Sequence, residues 1–242
     1  IAHFPVLEKR WGTNAGDLSG GEQQMLSLAQ AFLARPKLLM IDELSLGLAP
    51  AVVEQLLRII PAIHANGTAI ILVEQSVNTA LKLAQRAVFL EKGEIRFSGT
   101  TEELLGRDDI VRAVYFHAAA AEEAARPAEL APAVPATDQP VVLEVRELTK
   151  NYGGIRAVNA VSFDLHEHEV LGLIGPNGAG KTTIFDLISG FTSRDGGRVL
   201  LGGSDVTGWA PHERARAGLG RSFQNARLWP ALTVRDALAT AF

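Results

Sequence analysis

Apolar residues follow two different spacings in the first 116 residues of the chain. The runs KLLMIDE (37–43) and TAIILVE (68–74) are almost continuously apolar and each ends in a carboxylate, which is typical of strands buried on both faces. The segments 21–34 and 49–65 instead repeat apolar positions every three or four residues, which predicts helices. Buried strands that alternate with helices predict a parallel sheet covered on both sides, so the predicted fold class is α/β.

A second pattern, with tight turns between strands, predicts antiparallel structure. The segment RAVFLEKGEIRFSG has strand character on both sides of Lys92 and Gly93, which is typical of a hairpin. From residue 141 onward, VLEVRELTKNYG and VNAVSFDLHEHEV are predicted as strands broken by turns. VLGLIG is predicted as a buried strand that leads into a loop and a helix. The sequence therefore predicts a mostly parallel sheet with an additional antiparallel β subdomain.

Residues 117–140 differ in composition from the blocks on either side. The segment reads HAAAAEEAARPAELAPAVPATDQP, and its four prolines exclude regular helices and strands from its second part. We interpret it as an alanine- and proline-rich tether. It joins a first half, residues 1–116, to a second half, residues 141–242.

Composition and charge exclude several classes of protein. Of the 242 residues 47% are hydrophobic, which is enough for a sizeable core, and the net charge of −4 argues against a nucleic-acid partner, which needs a basic surface. The chain has no cysteine, which excludes disulfides and thiolate metal sites. No apolar run approaches the roughly 20 residues of a membrane-spanning helix. Because the chain begins with Ile1 and stops within a predicted helix, we expect it to be a piece cut at both ends.

A glycine-rich loop in the second half carries the clearest chemical signal. It fits the pattern G-x-x-x-x-G-K-T and stands between an apolar strand and a helix, which is the setting that this motif requires. Backbone N–H groups of such a loop turn towards phosphate oxygens, Lys181 reaches the β- and γ-phosphates, and the Thr182 hydroxyl binds Mg²⁺. The predicted nucleotide-binding residues of the loop are Gly175, Pro176, Asn177, Gly178, Ala179, Gly180, Lys181, Thr182 and Thr183.

Two adjacent acids end the apolar run KLLMIDE in the first half. Ligands of open α/β sheets bind at the carboxyl ends of the strands, so Asp42 is predicted to hold Mg²⁺ through a water molecule. Glu43 is predicted to act as the general base for the attacking water. Two acids after a strand are a weak signal on their own, and a solvated strand end is the alternative interpretation.

The string LSGGEQ (18–23) points to a family. It leads into a predicted helix, so Ser19, Gly20 and Gly21 form a second anion-binding position. Together with the glycine loop and LLMIDE, it makes the chain resemble the ATP-binding cassette (ABC) ATPases. The three strings are similar to the Walker A, Walker B and signature motifs of that family. The resemblance covers both halves and omits the tether.

The resemblance assigns further residues. It implies that Tyr152 stacks on adenine, and that Gln224 is the catalytic and Mg²⁺-binding glutamine of the Q-loop. Gln75 stands where most cassettes have a switch histidine, and glutamine can hydrogen-bond a γ-phosphate but carries no positive charge. Leu44 stands where most cassettes have a proline after the two acids. Without the fixed φ of proline we expect a slightly looser turn with its chemistry intact.

In members of this family the glycine loop precedes the signature. In this chain the order is reversed, since the signature string lies at 18–23 and the glycine loop at 175–183. The first half resembles the C-terminal half of one cassette and the second half resembles the N-terminal half of another. Their flanking sequences are similar to the two ATPase subunits of branched-chain amino acid importers. A tandem fusion, cut from the middle of one cassette to the middle of the next, would read in this order.

The resemblance implies Mg²⁺-dependent ATP binding and hydrolysis that energise an importer, with branched-chain amino acids as its cargo. The implied partners are the membrane permease subunits and a second ABC ATPase domain, at the cytoplasmic face of the plasma membrane. Two alternatives are a non-transport tandem-cassette module, of the translation-factor or chromosome type, and an inactive truncated fragment. The non-transport module predicts a basic tether or a long heptad insertion, and the tether has neither.

The two halves are expected to complete one sheet as a circularly permuted cassette. Each half alone would expose apolar strand faces and open edges, at a cost of roughly 25 cal/mol per Å² of apolar surface. The expected arrangement places Asp42 and Glu43 beside Lys181. Ser19 would then lie apart from these residues. In the competing arrangement Ser19 faces Lys181 across an interface and Asp42 is remote.

Overall fold

Strands from both halves form one sheet in the computed structural model, which describes residues 4–44, 48–74, 80–107, 139–222 and 229–241. Within these residues the strands are β1 Leu38–Asp42, β2 Ala69–Glu74, β3 Arg86–Glu91, β4 Glu94–Thr100, β5 Val141–Tyr152, β6 Ile155–His166, β7 Val170–Ile174, β8 Gly196–Leu201, β9 Ser204–Asp205 and β10 Leu219–Ser222. The larger sheet has the order β10-β1-β2-β7-β3-β4. Four of its strands come from the first half, and β7 and β10 come from the second.

The halves are interleaved through this sheet. Strand β7 lies between β2 and β3 and pairs with both in parallel, and Leu72 is in register with Gly172. Strand β10, also from the second half, pairs in parallel with β1 and forms the edge of the sheet farthest from β4. The prediction that the two halves complement each other as a permuted cassette is confirmed by this strand order.

A hairpin closes the other end of the sheet. Strands β3 and β4 are antiparallel, and the turn between them consists of Lys92 and Gly93, both with positive φ (51° and 80°). Two successive positive φ angles give a type I′ turn, whose twist matches that of the flanking strands. The predicted hairpin and its turn residues are therefore confirmed.

A separate antiparallel sheet, in the order β6-β5-β8-β9, is formed entirely by the second half. It packs over one face of the parallel sheet, so that Val145 and Phe163 belong to the same apolar cluster as Met40 and Leu173. This arrangement confirms the predicted α/β fold with an added antiparallel β subdomain.

Successive residues of β1 point to different apolar clusters. Leu38 and Met40 contact the cluster under the antiparallel sheet, whereas Leu39 and Ile41 contact the cluster formed with helices. All residues of β1 and β2 are buried. Because side chains alternate between the faces of a strand, a strand with both faces covered has a continuously apolar sequence, as the runs KLLMIDE and TAIILVE predict.

Helices pack on both faces of the parallel sheet. Leu28, Ile60 and Leu238 lie on helices that contribute to the cluster on the second face, whereas Ile184 and Phe185 lie on a helix under the antiparallel sheet. The bounds of the helices are α1 Pro5–Lys9, α2 Gly20–Ala34, α3 Pro50–Ala65, α4 Thr101–Leu105, α5 Lys181–Ser189, α6 Pro211–Arg216 and α7 Val234–Ala239, with a 3₁₀ turn at Ala15–Asp17. Among the described residues, no helix combines the length and the apolar character that a membrane crossing needs.

The helix ends follow local sequence signals. Ser19 caps α2 and forms a reciprocal capping box with Glu22, and Pro50 occupies the first turn of α3. A helix is also predicted over 75–85, but its first five residues lie outside the described part of the chain. The described part is helical only to Leu81 and turns before β3.

Candidate active site

The carboxyl ends of three neighbouring parallel strands bring the predicted chemical groups to one edge of the sheet. Strand β7 leads into the glycine loop, β1 ends at Asp42, and β2, which lies between them, ends at Glu74. In register, Asp42 is opposite Val73 and Glu74 is opposite Ile174. The loop from the second half and the acids from the first half therefore meet at the position where open α/β sheets bind ligands.

The glycine loop is packed against backbone from both halves. A Cβ atom at Gly175 would lie 2.3 Å from the carbonyl oxygen of Leu90 in β3. At Gly180, where φ is +101°, it would lie 2.4 Å from the carbonyl oxygen of Ala157. The Gly93 N–H at the hairpin turn donates a hydrogen bond to the Ala179 carbonyl (3.0 Å). Only glycine fits these two loop positions, and the first-half hairpin supports the loop.

Lys181 begins α5 and is held within the loop. Its Nζ donates hydrogen bonds to the carbonyl oxygens of Gly175 (2.6 Å) and Pro176 (3.0 Å), and the residue is 4% exposed. Burial lowers the pKa of Lys181, and the charges of Glu43 and the neighbouring acids Asp42 and Glu74 oppose this shift. The loop lysine and the acids of the first half therefore interact electrostatically in one site.

Asp42 is 2% exposed, and among the described residues only its Oδ2 has a hydrogen-bond partner. Its Oδ2 lies 3.4 Å from Nη2 of Arg221 in β10, whereas its buried Oδ1 has no hydrogen-bond partner among the described residues. Burial raises the pKa of Asp42 and the nearby guanidinium of Arg221 lowers it, while Glu43 and Asp186 raise it further. Within the described part of the chain, the carboxylate thus has one oxygen without a hydrogen-bond partner.

This oxygen fits an Mg²⁺ ion. Mg²⁺ prefers oxygen ligands and is usually held by one or two carboxylates together with waters and phosphates. Asp42 supplies the carboxylate, and Thr182 in the first turn of α5 supplies an exposed hydroxyl. Among the described residues no group of three or more His, Cys, Asp or Glu could hold a metal. Asp42 and Thr182 have oxygen donors of the kind that Mg²⁺ prefers.

Glu43 has an unusual backbone conformation. Its φ is +48°, in the left-handed region, and its N–H donates a hydrogen bond to the Val73 carbonyl (3.0 Å). Leu44, which follows it, is buried. The residue before a proline is pushed towards extended backbone. Leu44 is therefore compatible with a conformation of Glu43 that a proline at this position would oppose.

The signature residues lie apart from the glycine loop. The Ser19 Oγ donates to Glu22 Oε2 (2.8 Å) and accepts from the Glu22 N–H (3.4 Å). Ser19, Gly20 and Gly21 line a cavity of about 350 Å³ between the start of α2 and the start of α3, and no residue of the glycine loop lines it. The competing arrangement, with Ser19 facing Lys181 and Asp42 remote, is not the one found.

Of the three remaining predicted site residues, the structure describes Tyr152 but not Gln75 or Gln224. Tyr152 at the end of β5 is 49% exposed, and Lys150 Nζ lies 5.2 Å from its ring centroid. An accessible aromatic face is compatible with base stacking. Gln75 and Gln224 lie outside the described residues.

Two buried arginines were not predicted from the sequence. Arg221 makes an ion pair with Asp186 (2.7 Å) in addition to its contact with Asp42. Arg214 donates hydrogen bonds to the carbonyls of Leu187 (2.9 Å) and Ile188 (2.6 Å), at the C-terminal end of α5. A charged residue inside the short strand LGRS (219–222) is the signal that could have indicated a buried partner for Arg221.

Comparison with known proteins follows from this geometry. A family model described as ABC transporter matches residues 2–45 and 158–241, which together are more than half of the chain. The chain belongs to the ABC transporter family. The match includes the signature and the two acids in the first half and the glycine loop in the second.

Two relatives of this ABC transporter chain come from Pseudomonas aeruginosa. The high-affinity branched-chain amino acid transport ATP-binding protein BraG is 49% identical over 102 residues, which are 42% of this chain and 44% of BraG. BraF, with the same description, is 44% identical over 100 residues, which are 41% of this chain and 39% of BraF. The chain thus spans less than half the length of these relatives.

A solved structure, a nucleotide-free ATP-binding cassette from an ABC transporter, is 36% identical with a TM-score of 0.34. The alignment covers 35% of this chain and 33% of that one. The fold assignment rests on the sheet order described above.

Proposed function

We propose that this ABC transporter chain binds ATP with Mg²⁺ and hydrolyses it to energise transport. The observation that carries the proposal is the position of the glycine loop and of Asp42–Glu43 at the carboxyl ends of strands that flank β2. This arrangement supplies a phosphate cradle, a metal carboxylate and a base in one site, although the groups come from different halves of the chain.

Each group has a role in this proposal. The loop N–H groups and the N-terminus of α5 bind the phosphates, and Lys181 donates to the β- and γ-phosphate oxygens once it leaves the loop carbonyls. Thr182 and Asp42 hold Mg²⁺, which neutralises phosphate charge when bound. Glu43 orients the attacking water and accepts its proton.

Further residues complete the proposed site. Tyr152 stacks on adenine, Gln224 completes the metal ligands, and Gln75 hydrogen-bonds the γ-phosphate. Because Ser19 and its neighbours line a separate cavity, they serve the phosphate of another cassette. Hydrolysis therefore requires a second ABC ATPase domain packed face to face with this one.

We also propose that the protein energises import of branched-chain amino acids. The similarity to BraG and BraF, which are branched-chain amino acid transport ATP-binding proteins, supports this cargo. The protein would then bind permease subunits at the cytoplasmic face of the plasma membrane. Residues 1–116 and 141–242 would derive from two different cassettes that the tether 117–140 joins.

The nucleotide-binding part is tested with Lys181→Ala. The variant is expected to bind a fluorescent ATP analogue roughly tenfold more weakly, about 1.4 kcal/mol, because the loop keeps its backbone but loses its charge. The matched control is Lys82→Ala, which removes an exposed lysine away from the loop. Equal affinities for Lys181→Ala and the wild type would contradict the assigned loop.

The transport part is tested with the complete protein and its permease subunits in lipid vesicles. ATP-dependent uptake of labelled leucine, isoleucine or valine is expected, and no uptake is expected when EDTA removes Mg²⁺. Normal ATP hydrolysis with no uptake of any of the three would contradict the cargo and leave the ATPase proposal intact.

A further inference from the structure

Arg221 connects the proposed metal carboxylate to the helix that follows the glycine loop. It lies on β10 in the second half, and its Nη2 is 3.4 Å from Asp42 Oδ2 on β1 of the first half. Both side chains are buried, with 6% and 2% of their surface exposed. Parallel pairing of β1 with β10 places the two residues near the same end of the sheet.

The guanidinium of Arg221 is itself fixed by α5. Its Nη1 donates to Asp186 Oδ1 (2.7 Å) and to Ser189 Oγ (2.8 Å). The rings of Phe185 and Phe191 each have their centroid 5.7 Å from the guanidinium carbon. Because the guanidinium is planar and rigid, anchoring Nη1 on α5 also determines where Nη2 meets Asp42.

The contact with Asp42 is selective for one oxygen. Arg221 engages Oδ2, and Oδ1 is the buried oxygen that has no hydrogen-bond partner among the described residues. A carboxylate fixed through one oxygen has a defined orientation, which leaves the other oxygen for a ligand. Side chains that hydrogen-bond to a metal-binding carboxylate commonly set the orientation of that carboxylate.

We propose that Arg221 is a positioning residue, which holds Asp42 through Oδ2 and thereby keeps Oδ1 available to the divalent cation of the ATP site. The inference rests on the proposed function, since it concerns the cation of that site. It also makes the metal carboxylate of the first half depend on a side chain from the second half. Cation binding is therefore sensitive to the contact between β1 and β10.

The test measures cation and nucleotide binding separately on the full chain, with Mn²⁺ and ADP as the probes. Electron paramagnetic resonance of free Mn²⁺ gives Mn²⁺ affinity in the presence of ADP, and a fluorescent ADP analogue in EDTA gives nucleotide affinity without metal. Arg221→Gln is expected to weaken Mn²⁺ binding by about 10- to 100-fold. Its ADP affinity in EDTA should stay within about twofold of the wild type, because the hydrogen bonds of Arg221 to Asp42, Asp186 and Ser189 leave the backbone of the glycine loop unchanged.

A matched control separates positioning from stability. Arg214 is also a buried arginine that binds α5, but its hydrogen bonds go to carbonyls and none goes to Asp42. Arg214→Gln is expected to lower stability to urea while leaving Mn²⁺ affinity unchanged. Arg221→Lys, which retains a charge near Asp42, is expected to recover part of the lost Mn²⁺ affinity.

The outcomes distinguish the inference from the proposed function. Unchanged Mn²⁺ affinity in Arg221→Gln, with a wild type that binds both probes, overturns the inference and leaves the ATP site standing. An equal loss of Mn²⁺ affinity in Arg214→Gln and Arg221→Gln also overturns the inference, since the loss would then reflect lower stability of the fold in both variants. If Arg221→Gln does not fold, Asp186→Asn, which removes one anchor of Arg221, must still weaken Mn²⁺ binding. A wild type that binds neither probe overturns both proposals.

Discussion

Replacing Glu43 with glutamine is expected to lower ATP turnover by about 10²- to 10⁴-fold, with nucleotide affinity within about twofold of the wild type. Glutamine has the size and polarity of glutamate but does not accept a proton at neutral pH. The charge of Glu43 acts on Lys181, and in the proposed function both belong to one site, so the substitution acts on the chain's own proposed phosphate site. The measurement is phosphate release at saturating MgATP, over a range of protein concentrations that would allow the proposed pairing of two cassettes.

Glu74→Gln is the matched control for this substitution. Glu74 is also a buried carboxylate at the end of a neighbouring strand, and its charge also acts on Lys181. If Glu43 is the base, turnover in Glu74→Gln should fall by less than about tenfold. Equal losses in the two variants would assign the effect to charge near Lys181 rather than to proton transfer.

Phe185→Ala is expected to lower the free energy of unfolding by about 3–5 kcal/mol, because it empties a fully buried position between the two sheets. Phe191→Ala is the control, since Phe191 is 51% exposed. The two rings lie at the same distance, 5.7 Å, from the Arg221 guanidinium, so both variants lose a similar cation–π contact. The difference between the free energies of unfolding of the two variants, measured by urea denaturation, then gives the contribution of the buried position of Phe185.

The same experiment tests whether the halves fold together. The cluster around Phe185 includes Met40 and Val73 from the first half as well as Leu173 from the second. A cavity within one shared core should shift a single cooperative transition for the whole chain. Two separate transitions, of which Phe185→Ala shifts only one, would show that the halves unfold independently and would contradict a common core.

Local sequence signals predicted much of this fold. The apolar runs that became β1 and β2 and the Lys92-Gly93 turn each depend on residues close together in the chain. That the two halves complete one sheet could also be predicted, because incomplete sheets with open apolar edges are unfavourable. The expectation that the halves complement each other also placed Asp42 and Glu43 beside Lys181.

Features that depend on tertiary contacts could not be read from the sequence. The position of Arg221 between Asp42 and Asp186 requires β10 to pair with β1, and no local pattern specifies which acids a buried arginine will meet. The hydrogen bonds of Lys181 to its own loop carbonyls depend on the shape of the loop. The left-handed backbone of Glu43 is also set by its tertiary surroundings.

The insertion of β7 between β2 and β3 has a consequence for synthesis on the ribosome. Both neighbours are translated before β7, and polypeptides begin to fold from their N-termini while translation continues. A nascent chain that has not reached Val170 therefore presents two open strand edges, which chaperones or other nascent chains can bind. The strand that fills this gap leads directly into the glycine loop. Completion of the sheet and assembly of the phosphate cradle therefore belong to the same stage of biogenesis.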